Sequence, residues 1–211
     1  MKELIYRGLT SILLLIILFY TYKYLNFFIL VISFVLLISM IEYSQLIFKI
    51  KKNINDRVIL IIPGLIYTII VFVFLFINIF EYKNIIFYFL IICIVTDIGG
   101  LISGKIFKGK KLTKISPKKT YSGLYGSFII AFVFMFLFKD LLILNNLILF
   151  TFTFSVCLLS QLGDLFFSYL KRQAKVKDTG KLLPGHGGIF DRVDGIIISV
   201  PINIFFYTLS I

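Results

Sequence analysis

Apolar residues fall in long unbroken runs along the chain, separated by short polar and mostly basic segments. Each run approaches the roughly 20 residues that a helix needs to cross hydrocarbon. Seven spans can be drawn, over 4–22, 26–48, 58–80, 84–106, 122–138, 141–170 and 192–211, and the sixth is long enough to project past the membrane at its C-terminal end. Hydrocarbon offers the backbone no hydrogen-bond partner, so a spanning element is either a helix or a strand of a closed barrel. A barrel would show short alternating segments, and these runs are continuous. The pattern predicts an all-α, polytopic membrane fold of about 7 transmembrane helices with two cytoplasmic basic loops. The opening stretch, 1–22, has a basic start and an apolar middle, as a secretory signal does, but no small-x-small cleavage pattern follows it. It reads as the first span.

Composition supports the same class. Of 211 residues, 60% are hydrophobic and 15% charged, and mean hydropathy is +1.03. Soluble domains run at about 45–50% apolar and 25% charged. Too little polar surface remains to cover a water-soluble globule. The two cysteines, Cys93 and Cys157, lie inside apolar runs without Cys or His at ligand spacing, which argues against zinc and for packing as small hydrophobes.

The basic residues are unevenly shared. With seven spans, nineteen of the 22 Lys and Arg fall on one face, and only Lys23, Lys83 and Lys139 fall on the other. Such asymmetry places the basic face in the cytoplasm, and with it the N-terminus and both long loops. The formal charge of +12 is then explained by topology and attraction to anionic headgroups. No soluble basic domain remains to bind nucleic acid.

Acids inside apolar runs are costly, at about 2.5–3.5 kcal/mol for a central carboxylate on insertion scales, and mark function by default. Four stand out: Asp97, Asp164, Asp191 and Asp194. Asp164 precedes Lys171 by seven residues and Asp97 precedes Lys105 by eight, depths of about 10 and 12 Å at 1.5 Å per residue. Gln161, Asp164, Ser168, Lys171 and Lys175 follow helical spacing and predict one polar stripe. The face of Asp97 carries Gly100 and Gly104, small enough for close approach of a helix or ligand. Asp191 and Asp194 are three apart at the start of the last helix, whose positive end favours carboxylates. Ion pairing or helix capping accounts for such acids equally well at Asp191 and better at Asp178. Three or four of them converging in a wet recess would suit Mg²⁺, which keeps coordination positions for water and phosphate. Lysines nearby would neutralise polyphosphate charge.

Two basic loops carry the remaining polar pattern. In the first, Ser116-Pro117-Lys118-Lys119-Thr120 precedes a helix starting with Gly123, Gly126 and Ser127, whose N-terminal N–H groups could meet phosphate. Read alone, it is a topogenic loop. In the second, Pro184-Gly185-His186-Gly187-Gly188 can bring backbone N–H groups against a ligand. His186 is the chain's only histidine.

From Ser168 to Asp194 the order is Ser-x-Leu-Lys-Arg, four residues, Lys-Asp-x-Gly, then Pro-x-His-Gly-Gly-x-x-Asp-Arg-x-Asp. This 27-residue stretch resembles the signature of the phosphatidate cytidylyltransferases without a position out of pattern. The resemblance extends through Gly163-Asp164, Ser116–Thr120 and the Asp97 region, roughly the C-terminal 115 residues. The segment 1–80 carries no matching motif, and 81–211 reads as the catalytic region of one integral domain.

The resemblance implies a reaction in which CTP and phosphatidate give CDP-diacylglycerol and pyrophosphate. It implies Mg²⁺, with a possible second cation, a homodimer, and a bacterial inner membrane with the active site facing the cytoplasm. By motif, Asp164 and Asp191 would ligate metal, with Asp194 and Asp97 nearby. Lys118, Lys119, Lys171, Arg172 and Lys177 would contact phosphates, and Ser116, Thr120, Ser168, Asp178, His186, Gly187, Gly188 and Arg192 would line the substrates. The chain departs from the family pattern at Gly100-Leu101, where Ala-Tyr is usual, at Phe107-Lys108-Gly109, where Phe and Gly are adjacent, and at Ser122, often acidic. Rival readings are a cytidylyltransferase for an isoprenoid ether lipid, a CTP-dependent polyprenol kinase, and a cation transporter. A transporter predicts paired interrupted helices in two related halves, whereas the polar motifs here cluster on one face and toward the C-terminus.

Overall fold

The computed structural model describes residues 8–50, 53–113, 116–139, 144–180, 182 and 187–210, and the backbone of 2–7. Among the described residues six helices follow in order: α1 (Lys2–Lys23), α2 (Leu25–Ile50), α3 (Ile54–Phe107), α4 (Tyr121–Phe138), α5 (Asn146–Gln173) and α6 (Phe190–Ser210). Among the described residues there is no strand, only isolated bridge positions such as the pair Lys111 with Thr120. The all-helical expectation holds.

Five helices, α2 to α6, are long and apolar enough to cross a membrane, while the described apolar stretch of α1, Gly8–Lys23, is shorter. This is the composition of an integral membrane protein. The 54-residue α3 contains one non-helical residue, Tyr82, inside the gap left between the predicted spans 58–80 and 84–106. A helix of that length would run to about 80 Å, far beyond the roughly 30 Å hydrocarbon core. The predicted count of seven treats α3 as two spans and includes α1. The start of the sixth predicted span, 141–143, lies outside the described residues. Large side chains that a soluble protein would bury are exposed, among them Phe107, Leu137 and Leu147, as lipid-facing residues are.

The chain divides into two compact units, Met1–Ile77 with Leu170–Val193, and Asn78–Tyr169 with Asp194–Ile211. In the first, Tyr43 of α2 fills the space beside Gly64 of α3, where a Cβ would collide with its ring. The Tyr43 hydroxyl donates to the Leu60 carbonyl at 3.0 Å, so one aromatic residue fixes how α2 lies on α3.

The C-terminus of α5 belongs to the same unit. Val176 N–H donates to the Lys171 carbonyl at 2.9 Å and Lys175 N–H to that of Arg172 at 3.0 Å, with Lys175 at φ 56. These paired bonds define a Schellman cap, a position that favours glycine. Lys175 therefore leaves the polar stripe predicted for it, because the helix stops at Gln173. Lys175→Gly is expected to stabilise the protein by about 0.5–1 kcal/mol, because glycine reaches positive φ without the Cβ strain. A thermal melt in detergent that moved downward would contradict this.

In the second unit, small residues let helices touch backbone to backbone. A Cβ on Gly123 of α4 would lie 2.8 Å from the Gly100 carbonyl oxygen, and one on Gly99 3.1 Å from the Ser127 Cα. The small-residue face predicted around Asp97 thus receives α4. Likewise α5 and α6 cross where a Cβ on Gly163 would lie 3.1 Å from Gly195 Cα, and one on Gly195 2.8 Å from the Ser160 carbonyl oxygen. Polar side chains join the helices: Tyr88 to Thr153 at 2.6 Å, Gln161 to Ser127 at 2.6 Å and Ser199 to the Val156 carbonyl at 3.0 Å. Such bonds are favoured where no water competes. Cys93 and Cys157 are buried free thiols, as expected of packing residues.

Candidate functional site

The family-like residues occupy two clusters, one in each unit. The first is built on the end of α5 and the start of α6. Lys171 Nζ lies 2.8 Å from Asp191 Oδ1, and both side chains are largely buried, 9% and 3% exposed. The second carboxylate oxygen of Asp191 accepts from Thr179 N–H at 2.8 Å and Gly188 N–H at 3.0 Å, and lies 3.1 Å from the Thr179 hydroxyl oxygen. A buried lysine and carboxylate are tolerable only when paired and hydrogen-bonded; here the ammonium meets one carboxylate oxygen and two backbone N–H groups hold the other. Arg172, exposed, donates to the Val176 carbonyl at 2.8 Å. Lys177, Asp178 and Arg192 are exposed. Asp178 lies against Gly187, where a Cβ would come 3.0 Å from the Asp178 Cβ and 2.8 Å from Asp191 Oδ2. Gly187 also has φ 85, so glycine is required there twice over.

No motif marks α2 in the sequence, yet α2 supplies a further acid to this cluster. Glu42, only 5% exposed, accepts from the Thr179 hydroxyl at 2.8 Å and from the backbone N–H groups of Ile189 at 3.2 Å and Phe190 at 2.9 Å. It caps α6, whose own residue 189 is isoleucine and has no oxygen to offer. The signal was present: Glu42 lies seven residues before Lys49, the depth that singled out Asp164.

The second cluster sits on the loop before α4 and on α5. Lys119 is ion-paired with Asp164, and these side chains are 27% and 30% exposed. Asp164 Oδ1 also receives the Ser168 hydroxyl at 3.3 Å. Ser116 to Lys119 form a β-turn, with Lys119 N–H donating to the Ser116 carbonyl at 3.0 Å. Pro117 holds the second position, which suits its fixed φ. Leu112 N–H donates to the Lys119 carbonyl at 2.8 Å, so the loop is a small hairpin that presents Lys118 and Lys119. Lys118 is exposed.

Thr120 is the N-cap of α4, accepting from Gly123 N–H at 3.1 Å, and Tyr121 N–H donates to the Lys110 carbonyl at 3.1 Å. The expectation that this N-terminus offers its N–H groups to phosphate is therefore corrected: two of the first three are spent internally. The departures from the family pattern meet here, since the Ser122 hydroxyl bonds the carbonyl of Lys108, the inserted residue at φ 51. Asp194 is buried, with Oδ1 taking Gly195 N–H at 2.8 Å, and Asp97 is exposed. His186 lies outside the described residues.

Among the described residues, no three His, Cys, Asp or Glu side chains gather closely enough to hold a metal ion. Within its own unit each of the two central acids is paired with a lysine, Asp164 with Lys119 and Asp191 with Lys171. The donor set nonetheless fits a hard cation held mainly by phosphate and water. Asp164 is partly exposed, and Asp191 Oδ1 has one described partner. Carboxylate oxygens are the ligands Mg²⁺ takes, one or two at a time.

Helices fit to span a membrane, with lysine–carboxylate pairs on α5 and at the start of α6, define an integral membrane protein. A family model for the cytidylyltransferase family matches residues 1–210, and the chain belongs to that family. The match includes the helices in which the sequence showed no motif. Curated relatives named phosphatidate cytidylyltransferase include one from Rickettsia bellii, 43% identical over 124 residues, or 54% of each chain. Another from Rickettsia felis is 43% identical over 127 residues, or 56% of each. One from Helicobacter pylori is 36% identical over 124 residues, covering 58% of this chain and 47% of the relative. The chain spans about half the length of the curated relatives it matches.

Proposed function

We propose that the protein is a CTP:phosphatidate cytidylyltransferase, transferring CMP to a phospholipid phosphate with release of pyrophosphate. The observation that carries this reading is the Lys171–Asp191 pair, buried, hydrogen-bonded and central to the 27-residue signature. A merely structural helix bundle gains little from a buried ion pair, whereas phosphoryl transfer depends on cations fixed in advance.

In this reading a phosphatidate oxygen attacks the α-phosphorus of CTP. The new P–O bond forms as the bond to the bridging oxygen breaks, and pyrophosphate leaves with the electron pair. The nucleophile is already an anion, so no general base is needed, consistent with the single histidine of the chain. Lys118 and Lys119, displayed by the hairpin, meet phosphate charge, and Lys171 holds its ammonium in a fixed position. Arg172 and Lys177 face solvent at the start of the loop that follows α5 and suit an incoming anion. Ser116, Thr120, Ser168, Asp178, Gly187, Gly188 and Arg192 would line the substrates, with His186 assigned to the same role by motif alone. Asp164 and Asp191 would hold Mg²⁺, with Asp97 and Asp194 as further acids, and the ion would neutralise charge developing between the phosphates. The basic asymmetry supports a cytoplasmic orientation in a bacterial inner membrane, and a homodimer follows from the family resemblance.

The test is an acceptor panel. Purified protein with CTP and Mg²⁺ is offered phosphatidate, an isoprenoid ether phosphate and a polyprenol, with products identified by mass. CDP-diacylglycerol from the first is the expected result. A phosphorylated alcohol with CDP would identify a kinase, and preference for the ether lipid would move the substrate class.

A further inference from the structure

We infer that Glu42 on α2 is a positioning residue for Asp191, acting through the Thr179 hydroxyl. The inference rests on the cytidylyltransferase reading for its catalytic consequence and on geometry for the rest.

A carboxylate inside an apolar helix is expensive to place there, and Glu42 is nearly inaccessible. Its described hydrogen bonds come from neutral groups: two backbone N–H groups at the positive end of α6 and one hydroxyl. The helix end favours an anion, so the charge is accommodated there. Capping alone does not require it, since a neutral Ser or Asn can cap a helix.

The hydroxyl reveals the further role. Thr179 carries one hydroxyl proton, yet its oxygen faces Glu42 Oε2 at 2.8 Å and Asp191 Oδ2 at 3.1 Å. Thr179 N–H already serves the same Asp191 oxygen. The hydroxyl proton therefore goes to the shorter contact, Glu42, which sets the rotamer of Thr179 and with it the wall against which Asp191 rests.

The loop is also shaped around Glu42. A Cβ on Gly180 or Gly188 would collide with its carboxylate, so two signature glycines leave room for this acid. Gly188 in turn donates its N–H to Asp191. Glu42 thus reaches Asp191 by two routes, through Thr179 and through the placement of Gly188. Such supporting bonds commonly change metal affinity or activity by about 10–100-fold when removed.

The experiment compares Glu42→Gln, Thr179→Val and Thr179→Ser in the full chain, with two readouts. The first is turnover per folded protein at saturating CTP and phosphatidate. The second is amide hydrogen exchange of a peptide covering 178–190. Glu42→Gln puts an amide NH₂ against N–H or O–H donors in either orientation. It is expected to lower kcat about 10–100-fold, with KM for CTP within about threefold, and to speed exchange at Thr179 and Gly188 about tenfold or more. Thr179→Val, which leaves both Glu42 bonds to α6 in place, should reproduce both effects, and Thr179→Ser should restore both. If Glu42 only caps α6, Thr179→Val leaves exchange and kcat at wild-type values, and that result overturns the inference. Wild-type exchange in Glu42→Gln overturns it as well. Should wild-type protein make no CDP-lipid, the proposed function fails, while the exchange comparison still decides the role of Glu42.

Discussion

Asp191→Asn is expected to eliminate CTP-dependent lipid product and to destabilise the protein by about 3 kcal/mol. The reason is a shortage of acceptors. Asp191 offers one oxygen to Lys171 and the other to Thr179 and Gly188. An asparagine must turn its NH₂ toward the lysine ammonium or toward two backbone N–H donors, and neither orientation satisfies both sides. Lys171, only 7% exposed, loses the carboxylate of a buried pair, a change that costs about 3–5 kcal/mol elsewhere. Turnover should fall by at least about 100-fold from the loss of fixed electrostatics alone. Asp164→Asn separates chemistry from folding. Its pair with Lys119 is partly exposed, and exposed pairs contribute about 0–1 kcal/mol. This variant should therefore melt close to wild type and still make no CDP-lipid. Retained turnover in either variant would remove that carboxylate from the proposed reaction.

Gly195→Leu is expected to destabilise the protein without touching the lysine–carboxylate pairs. A Cβ at Gly195 would lie 2.8 Å from both the Ser160 carbonyl oxygen and its hydroxyl, and Gly163 packs directly on the Gly195 Cα. A backbone carbonyl inside a helix cannot move aside, so α5 and α6 would have to separate. Overpacking of this kind costs about 1–3 kcal/mol and sometimes more. The separation would also open the bond from Ser199 to the Val156 carbonyl one turn further along. A melt in detergent should show a clear downward shift, with Gly8→Leu as the comparison, since nothing lies within 4 Å of a Cβ at Gly8. Equal melting of the two variants would contradict the close crossing.

The helices were legible because a bilayer imposes length and hydrophobicity together, and both can be read along a single chain. The predicted boundary near 80–84 coincides with the break at Tyr82, and α2 and α4 end within two residues of their predicted limits. The C-terminus of α5 was harder, because the residue in the left-handed position is Lys175 and the glycine that usually marks such a stop is absent. The acids Asp164 and Asp191 were legible as chemistry, since depth and charge spacing single them out. Their lysine partners were not assigned, because the chain brings Lys119 to Asp164 from 45 residues away. Glu42 was missed for a different reason. The depth argument applied to it equally, but no neighbouring motif drew attention to it, and its partners Thr179, Ile189 and Phe190 lie over 130 residues downstream. The segment 184–188 suggested a cradle for ligand, and the structure fills the space at Gly188 with Glu42.

The central claim is that this chain joins the α-phosphate of CTP to a phospholipid phosphate. The most direct test follows CTP labelled at the α-phosphate in one reaction and at the γ-phosphate in another, with purified protein, phosphatidate and Mg²⁺. The account predicts that the α-label enters the lipid and that the γ-label leaves as pyrophosphate, one for one, with both signals absent in Asp164→Asn. Transfer of the γ-label to lipid, or no transfer of either label by wild-type protein that is folded, would contradict it.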